Sequence, residues 1–190
     1  MSQPNTMKLR EPSKREWKVI NAALRSFGSL DFLENNKLLV SEVKDESGEK
    51  VKEVYALSND LAKFLELYKL SIVHAGLKVG EVGSRRFRFS LEGSFYLINK
   101  DKKKVYVNEK GEMLFLYGRD IFAKSVEKVT NDVEENDIVF VCNKRGDILG
   151  IGKARFDAKR MKEVEEDRVV VENLVDRGEY LRKNKTYNSY

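Results

Sequence analysis

Five basic side chains stand close together in the C-terminal half of the chain, and their chemistry suits phosphate groups. The cluster consists of Lys153, Arg155, Lys159, Arg160 and Lys162. Ammonium and guanidinium groups neutralise phosphates and release the counterions of a nucleic acid. Because acidic residues follow at once between positions 163 and 167, a salt-bridged surface helix is the competing interpretation.

A second basic group lies in the N-terminal half, at Arg85, Arg86 and Arg88. Side chains alternate along a strand, so Arg86 and Arg88 are expected on one face, and Phe87 and Phe89 on the other. The sequence therefore predicts aromatic rings in the core and guanidinium groups outside. There they would extend an RNA surface or contact a protein partner, and the sequence alone favours neither.

No pattern in the sequence indicates a catalytic or metal centre. His74 is the only histidine and lies in the apolar run 71–75, which favours a buried structural histidine. Cys142 is the only cysteine, so there is neither a disulfide framework nor a Cys/His metal cluster. Two glycines flank Ile151, but Arg155 stands where a dinucleotide fingerprint has its third glycine. We therefore expect no catalytic residue, no metal and no cofactor.

Composition favours a polyanionic partner. The 190 residues include 36 Lys and Arg against 31 Asp and Glu, giving a net charge of +5. A moderately basic surface suits nucleic acid first and an anionic membrane second. No apolar run approaches membrane-spanning length, and a single cysteine suits a reducing compartment. We expect a soluble, cytoplasmic protein without a membrane partner.

Two groups of elements must position these residues. The first half predicts a helix from Ser13 to Gly28, a hairpin of strands at 38–43 and 51–57, a helix from Ser58 to Tyr68, strands at 70–75 and 85–90, and a short helix at 91–99. The second half predicts a helix at 111–117 that Gly118 ends, a loop at 119–124, and a hairpin of strands at 138–142 and 147–155. The lysine-rich run 100–104 predicts the boundary between the halves, and such a run is more often solvated surface than a binding site.

Gly150 and Gly152 lie two positions apart, so on a strand they share one face. That face would be bare and would allow another backbone, a helix or a ligand to approach closely. The alternative is a strand end with a bulge, and the pattern leaves both open.

Several of these stretches together resemble a known module. The run 115–121 (Phe-Leu-Tyr-Gly-Arg-Asp-Ile), Ser125-Val126, the hairpin and the run 149–154 (Leu-Gly-Ile-Gly-Lys-Ala) resemble a PUA domain, the RNA-binding module named after pseudouridine synthases and archaeosine transglycosylases. Upstream 86–89 (Arg-Phe-Arg-Phe), and downstream 169–171 (Val-Val-Val) followed by 178–182 (Gly-Glu-Tyr-Leu-Arg), make the chain similar to the nuclear-import-protein-seven family of large-ribosomal-subunit biogenesis factors. The resemblance extends from about Met7 to about Lys183.

The resemblance implies an α+β fold with an N-terminal α/β domain followed by a C-terminal PUA pseudo-β-barrel. The expected limits are a disordered tail at 1–6, a pre-PUA domain at 7–100, a PUA domain at 101–183 and a flexible tail at 184–190. In PUA domains a helix, the loop after it and a neighbouring strand form the RNA groove, which nominates Arg119 and Lys124. The alternative is that Arg119 has a purely structural role and forms an ion pair with a nearby carboxylate such as Asp120 or Asp147.

The resemblance also favours RNA binding for the cluster at 153–162, since the family's RNA contacts lie on the PUA domain. It implies a non-catalytic protein that binds precursor ribosomal RNA, with pre-ribosomal particles and other biogenesis factors as partners. In a eukaryote it would imply a nucleolar location. The N-terminal domain would be the protein platform. Two alternatives remain open: a translation-associated PUA factor and a protein-only adaptor with a PUA-like barrel.

Overall fold

The computed structural model describes residues 6–44, 47–68, 72–98 and 100–183, without the side chains of Leu181 and Lys183. Residues 1–5 and 184–190, which make up most of the two predicted tails, lie outside this range. The chain divides into two compact units, Met1–Lys100 and Asp101–Tyr190, called the N-terminal and C-terminal units below. No helix in these ranges is long and apolar enough to span a membrane.

The N-terminal unit is built on one antiparallel sheet of five strands in chain order. Its elements are β1 (Leu9–Arg10), α1 (Lys14–Ser26), α2 (Phe32–Asn35), β2 (Asn36–Lys44), β3 (Lys50–Ser58), α3 (Asn59–Tyr68), β4 (Leu77–Val82), β5 (Phe87–Phe89) and α4 (Leu91–Leu97). Leu39 and Tyr55, opposite each other on β2 and β3, belong to the apolar cluster below α3. Val40 and Val54 are the next opposed pair and face the other side of the sheet.

Local signals set the start of α1 where the sequence predicts it. The backbone N–H of Glu16 donates to Ser13 Oγ (3.3 Å), and the backbone N–H of Ser13 donates to Glu16 Oε2 (2.8 Å). This capping box satisfies two N–H groups that a helix start leaves without partners. Ile20 and Leu24 then lie buried one helical turn apart, on the side that meets the sheet.

The strand predicted at 70–75 is wrong over residues 72–75, which have no strand structure; positions 70 and 71 lie outside the described residues. The strand is β4, which contains Gly80 in its interior. A Cβ at position 80 would overlap the carbonyl oxygen of Arg88 on β5, so this glycine permits close strand packing instead of ending a strand. His74 is exposed, and the centre of its ring lies 6.1 Å from that of Tyr55 in an edge-to-face arrangement, so the predicted core histidine is wrong as well.

The C-terminal unit is a six-stranded, nearly closed sheet in the order β7-β11-β10-β9-β6-β8. Its elements are β6 (Lys104–Val107), α5 (Glu109–Leu116), β7 (Ile121–Phe122), β8 (Val126–Val129), β9 (Ile138–Cys142), β10 (Ile148–Ala154), β11 (Val169–Asp176) and α6 (Glu179–Lys183), with 3₁₀ turns at Ala123–Ser125 and Arg160–Lys162. All neighbouring strands are antiparallel except β6 and β9. Phe115 of α5 is fully buried among the strands. The α+β class and its two parts confirm the predicted fold class.

The glycine face of β10 is occupied by the protein itself. A Cβ at Gly150 would overlap the carbonyl oxygen of Val175 and lie 2.9 Å from a ring carbon of Phe115. A Cβ at Gly152 would overlap the side chain of Val171. Register shifts of the bulge type also occur on both sides of β10. Close approach of other parts of the chain to these glycines and a bulge in β10 therefore occur together. Elsewhere in this unit, the segment predicted as a loop at 119–124 is partly strand and partly 3₁₀ turn.

Candidate nucleic-acid interface

Strand β11 is the common neighbour of the segments that carry three of the nominated cations. It pairs with β7 on one side and with β10 on the other. On the β7 side, the side-chain amide of Asn173 donates to the carbonyl oxygen of Arg119 (3.4 Å). On the β10 side, Lys153 stands opposite Glu172, and the Arg155 guanidinium lies 2.8 Å from the Glu172 carboxylate. The segments that carry Arg119, Lys153 and Arg155 therefore all contact the middle of β11, at Glu172 or Asn173.

Arg119 has a free guanidinium in this arrangement. It is exposed and forms no ion pair with any described residue. Asp120 accepts from the backbone N–H of Asn173 (2.8 Å), and Asp147 accepts from the side-chain amide of Asn143 (3.0 Å). The alternative that Arg119 pairs with Asp120 or Asp147 is therefore wrong.

Lys124 lies near the other end of β11 and is paired. Its ammonium forms an ion pair with the Asp167 carboxylate and lies 5.8 Å from the ring centre of Phe122. The Asp167 carboxylate raises the pKa of Lys124, and the ammonium lowers the pKa of Asp167. Both groups are exposed, so the pair is screened by solvent and exchanges readily with a competing anion.

The remaining three cations lie on and beside the 3₁₀ turn Arg160–Lys162. The Arg160 guanidinium lies 3.9 Å from Glu135 and 5.1 Å from the ring centre of Phe156. Lys159 approaches Glu163 at 4.0 Å. Lys162 is exposed and has no ion pair within the described ranges. The contacts of this group lead to Glu135 and Glu163 and not to β11, so the predicted cluster consists of two parts.

Sequence reasoning did not single out the aromatic side chain next to Arg119. Tyr117 caps the C-terminal end of α5 and is 69% exposed, and Met113, four residues earlier on the same helix face, is 51% exposed. Gly118, with φ of 80°, ends the helix directly after Tyr117. The helical spacing could have revealed it, because residues two positions apart on a helix point in different directions. A helix that buries Phe115 therefore turns Tyr117 away from the core.

The second basic group lies in the N-terminal unit and is considered by itself. Arg85 and Arg86 are exposed in a tight turn closed by a hydrogen bond from the Gly83 N–H to the Arg86 carbonyl (2.9 Å). Neither has an ion pair among the residues described, whereas Arg88 lies 3.0 Å from Glu81. Phe89 contacts Phe27 edge to face, and both Phe87 and Phe89 are half-buried while Arg86 and Arg88 are exposed. The rings and the guanidinium groups thus differ in exposure as predicted, but the rings are not fully buried.

Groups that could serve a metal or a covalent mechanism are sparse. Within the described ranges, no three His, Cys, Asp or Glu side chains are placed to hold a metal ion. Cys142 is fully buried, and burial raises the pKa of its thiol to about 12. A thiol of this kind is not a nucleophile at neutral pH.

Comparisons with known proteins agree with this architecture. A family model described as "NIP7/UPF0113, pre-PUA domain" matches residues 9–91, and one described as "UPF0113 PUA domain" matches residues 103–185. A UPF0113 protein of Archaeoglobus fulgidus is 54% identical over 97% of this chain and 100% of its own length. The 60S ribosome subunit biogenesis protein NIP7 of Saccharomyces cerevisiae is 25% identical over 94% of this chain and 98% of its own.

Solved structures show the same fold. A conserved PUA domain protein from Thermoplasma acidophilum superimposes with a TM-score of 0.62 at 18% identity, over 92% of this chain and 97% of that one. The chain therefore belongs to the NIP7/UPF0113 family, whose members carry a pre-PUA domain followed by a PUA domain.

Proposed function

We propose that this chain is a non-catalytic RNA-binding protein of large-ribosomal-subunit assembly. It binds single-stranded stretches of precursor ribosomal RNA through the surface around β11. The observation that carries the proposal is that the segments with Arg119, Lys153 and Arg155 all contact β11 at Glu172 or Asn173. Arg119 and Lys153 have no ion pair among the described residues. The relatives named 60S ribosome subunit biogenesis proteins support precursor ribosomal RNA as the ligand.

The unpaired cations are expected to contribute most to phosphate binding. Arg119, Lys153 and Lys162 bind a phosphate without giving up an ion pair among the described residues. Lys124 and Arg155 each have a carboxylate partner, and so do Lys159 and Arg160. When such a cation binds a phosphate, its carboxylate is left beside the RNA and repels it. We therefore place Arg119 and Lys153 at the centre of the site and Lys162 at its periphery.

The exposed ring of Tyr117 gives the site a means of holding bases. It stands two residues from the free guanidinium of Arg119, and both side chains are exposed. Base stacking on an aromatic ring contributes about 1–3 kcal/mol per base and tolerates any sequence. A cation beside a stacking ring suits unpaired RNA, whose bases can turn out of the strand.

The N-terminal unit is the proposed platform for other biogenesis factors. Helix α3 exposes four apolar side chains, and a groove lined by Leu9, Leu39, Leu65 and Ile72 runs beside it. The four exposed side chains are Leu61, Phe64, Leu67 and Tyr68. Contiguous exposed apolar side chains mark protein-binding surfaces, whereas RNA-binding surfaces are basic.

The experiment that tests the RNA site is a salt series of binding to fluorescent single-stranded RNA. The site variant replaces Arg119, Lys153 and Lys162 by alanine. A matched control replaces Lys102, Lys110 and Arg145, which are exposed and likewise without ion pairs among the described residues. Both variants remove three positive charges, so the comparison isolates where the charge is removed.

The site variant is expected to bind with much lower affinity, and its salt slope is expected to fall by about 0.7 for each phosphate that it no longer neutralises. The control variant is expected to keep most of the RNA affinity and most of the salt slope. Equal effects in the two variants would mean that RNA responds only to net charge, and the proposed site would be wrong. If the protein bound partner proteins independently of salt and had no RNA affinity, the adaptor alternative would replace the proposal.

The choice between assembly and translation is tested separately. The proposal expects the protein to sediment with precursors of the large subunit. Sedimentation with initiation complexes instead would favour the translation-associated factor.

A further inference from the structure

The C-terminal helix α6 fastens the end of α5 through one arginine. The Arg182 guanidinium donates to both carboxylate oxygens of Asp176, from Nη1 to Oδ1 (3.0 Å) and from Nη2 to Oδ2 (2.7 Å). Nη1 also donates to the carbonyl oxygen of Leu116, the last residue of α5. The Asp176 residue is only 2% exposed. Arg182 thus joins α6, the end of β11 and the end of α5 in one bonded unit.

Asn173 joins the same unit to the segment that carries Arg119. Its side-chain amide donates to the Phe115 carbonyl (2.9 Å) and the Asp176 carboxylate (3.3 Å), with a longer contact to the Arg119 carbonyl (3.4 Å). Its backbone N–H donates to the Asp120 carboxylate (2.8 Å). The segment 116–120 is therefore held at both ends by groups that lead back to Asp176.

Two glycines allow the chain segments to come this close. A Cβ at Gly178 would overlap the carbonyl oxygen of Leu116, and a Cβ at Gly118 would lie 3.2 Å from Arg182 Nη2. Gly118 also has a left-handed φ of 80°, which other residues rarely adopt. The close approach thus depends on residue types in two separate segments of the chain, at Gly118 and at 178–182.

We propose that Arg182 is a positioning residue for RNA binding. It fixes the segment 116–120 in the conformation that presents Tyr117 and Arg119, while three of its five N–H donors are engaged by Asp176 and Leu116. The inference rests on the proposed function, because it assigns the binding role to Tyr117 and Arg119. Arg182 differs from the cations nominated from the sequence in that it acts without contacting the RNA.

The fork shape of the guanidinium separates this role from a direct phosphate contact. A lysine at position 182 keeps the charge but cannot bond both oxygens of Asp176 and the Leu116 carbonyl at once. If Arg182 bound phosphate directly, Arg182→Lys would restore most of the affinity that Arg182→Ala removes. For a positioning residue the two variants are weakened to about the same extent. The salt slope stays unchanged, since the bound state makes the same phosphate contacts.

The first experiment measures RNA affinity across a salt series for Arg182→Lys, Arg182→Ala and the control Arg25→Lys, at an exposed position of α1. Both Arg182 variants are expected to bind about fivefold more weakly, because a smaller fraction of molecules holds the binding-competent loop. The control is expected to match the unchanged protein. Recovery of affinity in Arg182→Lys, or a salt slope that falls by about 0.7 in Arg182→Ala, overturns the inference.

The second measurement reports on the loop without RNA. The backbone N–H groups of Gly118 and Arg119 donate to the Phe115 and Leu114 carbonyls (2.9 and 3.0 Å), so their hydrogen exchange is slow while the segment is held. Arg182→Lys is expected to speed exchange at these two positions. The N–H of Ala154, bonded elsewhere in the same unit, is expected to keep its rate and shows that the unit stays folded. Unchanged exchange at Gly118 and Arg119 overturns the inference.

A double-mutant cycle with Arg119→Ala separates failure of the inference from failure of the proposed function. Because Arg182 positions both Tyr117 and Arg119, Arg182→Lys is expected to have a smaller further effect once Arg119 is removed, with the remainder acting through Tyr117. Full additivity of the two changes overturns the inference and leaves the RNA site in place. If Arg119→Ala binds RNA as well as the unchanged protein does, the proposed site fails and the inference fails with it.

Discussion

Replacing Glu16 by glutamine is expected to destabilise the N-terminal unit more than any other single loss of charge there. Only 7% of this side chain is exposed, and it accepts four hydrogen bonds. Two come from the Arg10 guanidinium (2.8 and 3.0 Å), one from Lys52 Nζ (2.9 Å) and one from the Ser13 N–H (2.8 Å). The carboxylate thus ties β1, α1 and β3 together.

The size of the destabilisation depends on how far water can solvate Arg10 and Lys52 once the carboxylate is gone. Removing one partner of a buried, hydrogen-bonded ion pair destabilises by about 3–5 kcal/mol. Arg10 and Lys52 are 40% and 44% exposed, so water replaces much of the missing partner, and glutamine keeps one acceptor oxygen. We therefore expect a loss of about 2 kcal/mol in the free energy of unfolding, and a fall of about 10 °C in the Tm of this unit.

The same group predicts how stability depends on pH. Hydrogen bonding by Arg10 lowers the pKa of Glu16 well below its ordinary value of 4.5. A carboxyl with a lowered pKa in the folded state stabilises fully above its unfolded pKa, and this stabilisation is lost as the pH falls towards the folded pKa. Below about pH 4.5 the Tm of the unchanged protein is therefore expected to fall more steeply than that of Glu16→Gln.

Thermal unfolding followed by circular dichroism between pH 3 and 7 is the assay, with Glu42→Gln as the matched control. Glu42 binds the same arginine at 3.0 Å but is 51% exposed, so its loss is expected to change stability by about 0.5 kcal/mol. Equal Tm values for the two variants at pH 7, or parallel acid slopes for Glu16→Gln and the unchanged protein, would refute the reasoning.

Three further predictions concern the C-terminal unit. Gly150→Ala is expected to destabilise it by about 3 kcal/mol in urea unfolding, because a Cβ would overlap β11 and press on Phe115. The control Gly146→Ala, in open space with a φ of 90°, should lose only about 1 kcal/mol. Equal losses in the two variants would contradict the packing argument. The Cys142 thiol is expected to resist a thiol reagent at pH 8 until the protein is unfolded, and rapid labelling of the native state would contradict its burial. Asn108→Ala is expected to reduce stability by about 1 kcal/mol, since its side-chain oxygen caps α5 by accepting the Gly111 N–H at 2.9 Å; an unchanged urea midpoint would show that this cap is dispensable.

Local signals were sufficient to predict most of the elements. The capping box at Ser13 and Glu16 fixes the start of α1. The apolar runs 38–43 and 51–57, with a short polar stretch between them, predict the hairpin of β2 and β3. These features depend only on residues that are close in the sequence, so the sequence alone is sufficient to predict them. The hairpin of β9 and β10 was predictable for the same reason.

The failures depend on contacts between distant parts of the chain. Gly80 looks like a break, yet β4 continues through it because β5 requires the space of its missing side chain. The run at 72–75 looks like a buried strand, yet Val73 and His74 are exposed. Neither outcome follows from propensity, since both are decided by which strand lies next to which.

The candidate site shows the same limit for charge. The sequence nominates seven cations in the C-terminal unit, and four of them have a carboxylate partner in the structure. Only the pair of Lys159 and Glu163 lies within one helical turn and could be anticipated. The pairs of Lys124 with Asp167, Arg155 with Glu172 and Arg160 with Glu135 form because β7, β9, β10 and β11 bring distant segments together.

The lysine-rich run at 100–104 illustrates this point most directly. Lys103 is 2.5 Å from Asp137, Lys104 is buried, and Lys100 is 2.9 Å from Asp31, so most of this apparent solvated surface is bound to the protein. A count of charges therefore overestimates what an RNA can use. The relevant quantity is the number of cations without an internal partner, and only the tertiary structure reveals it. Arg119 stands outside every basic run in the sequence, yet it has no ion pair among the described residues and lies beside the exposed ring of Tyr117. For these two reasons together we propose it as a phosphate contact.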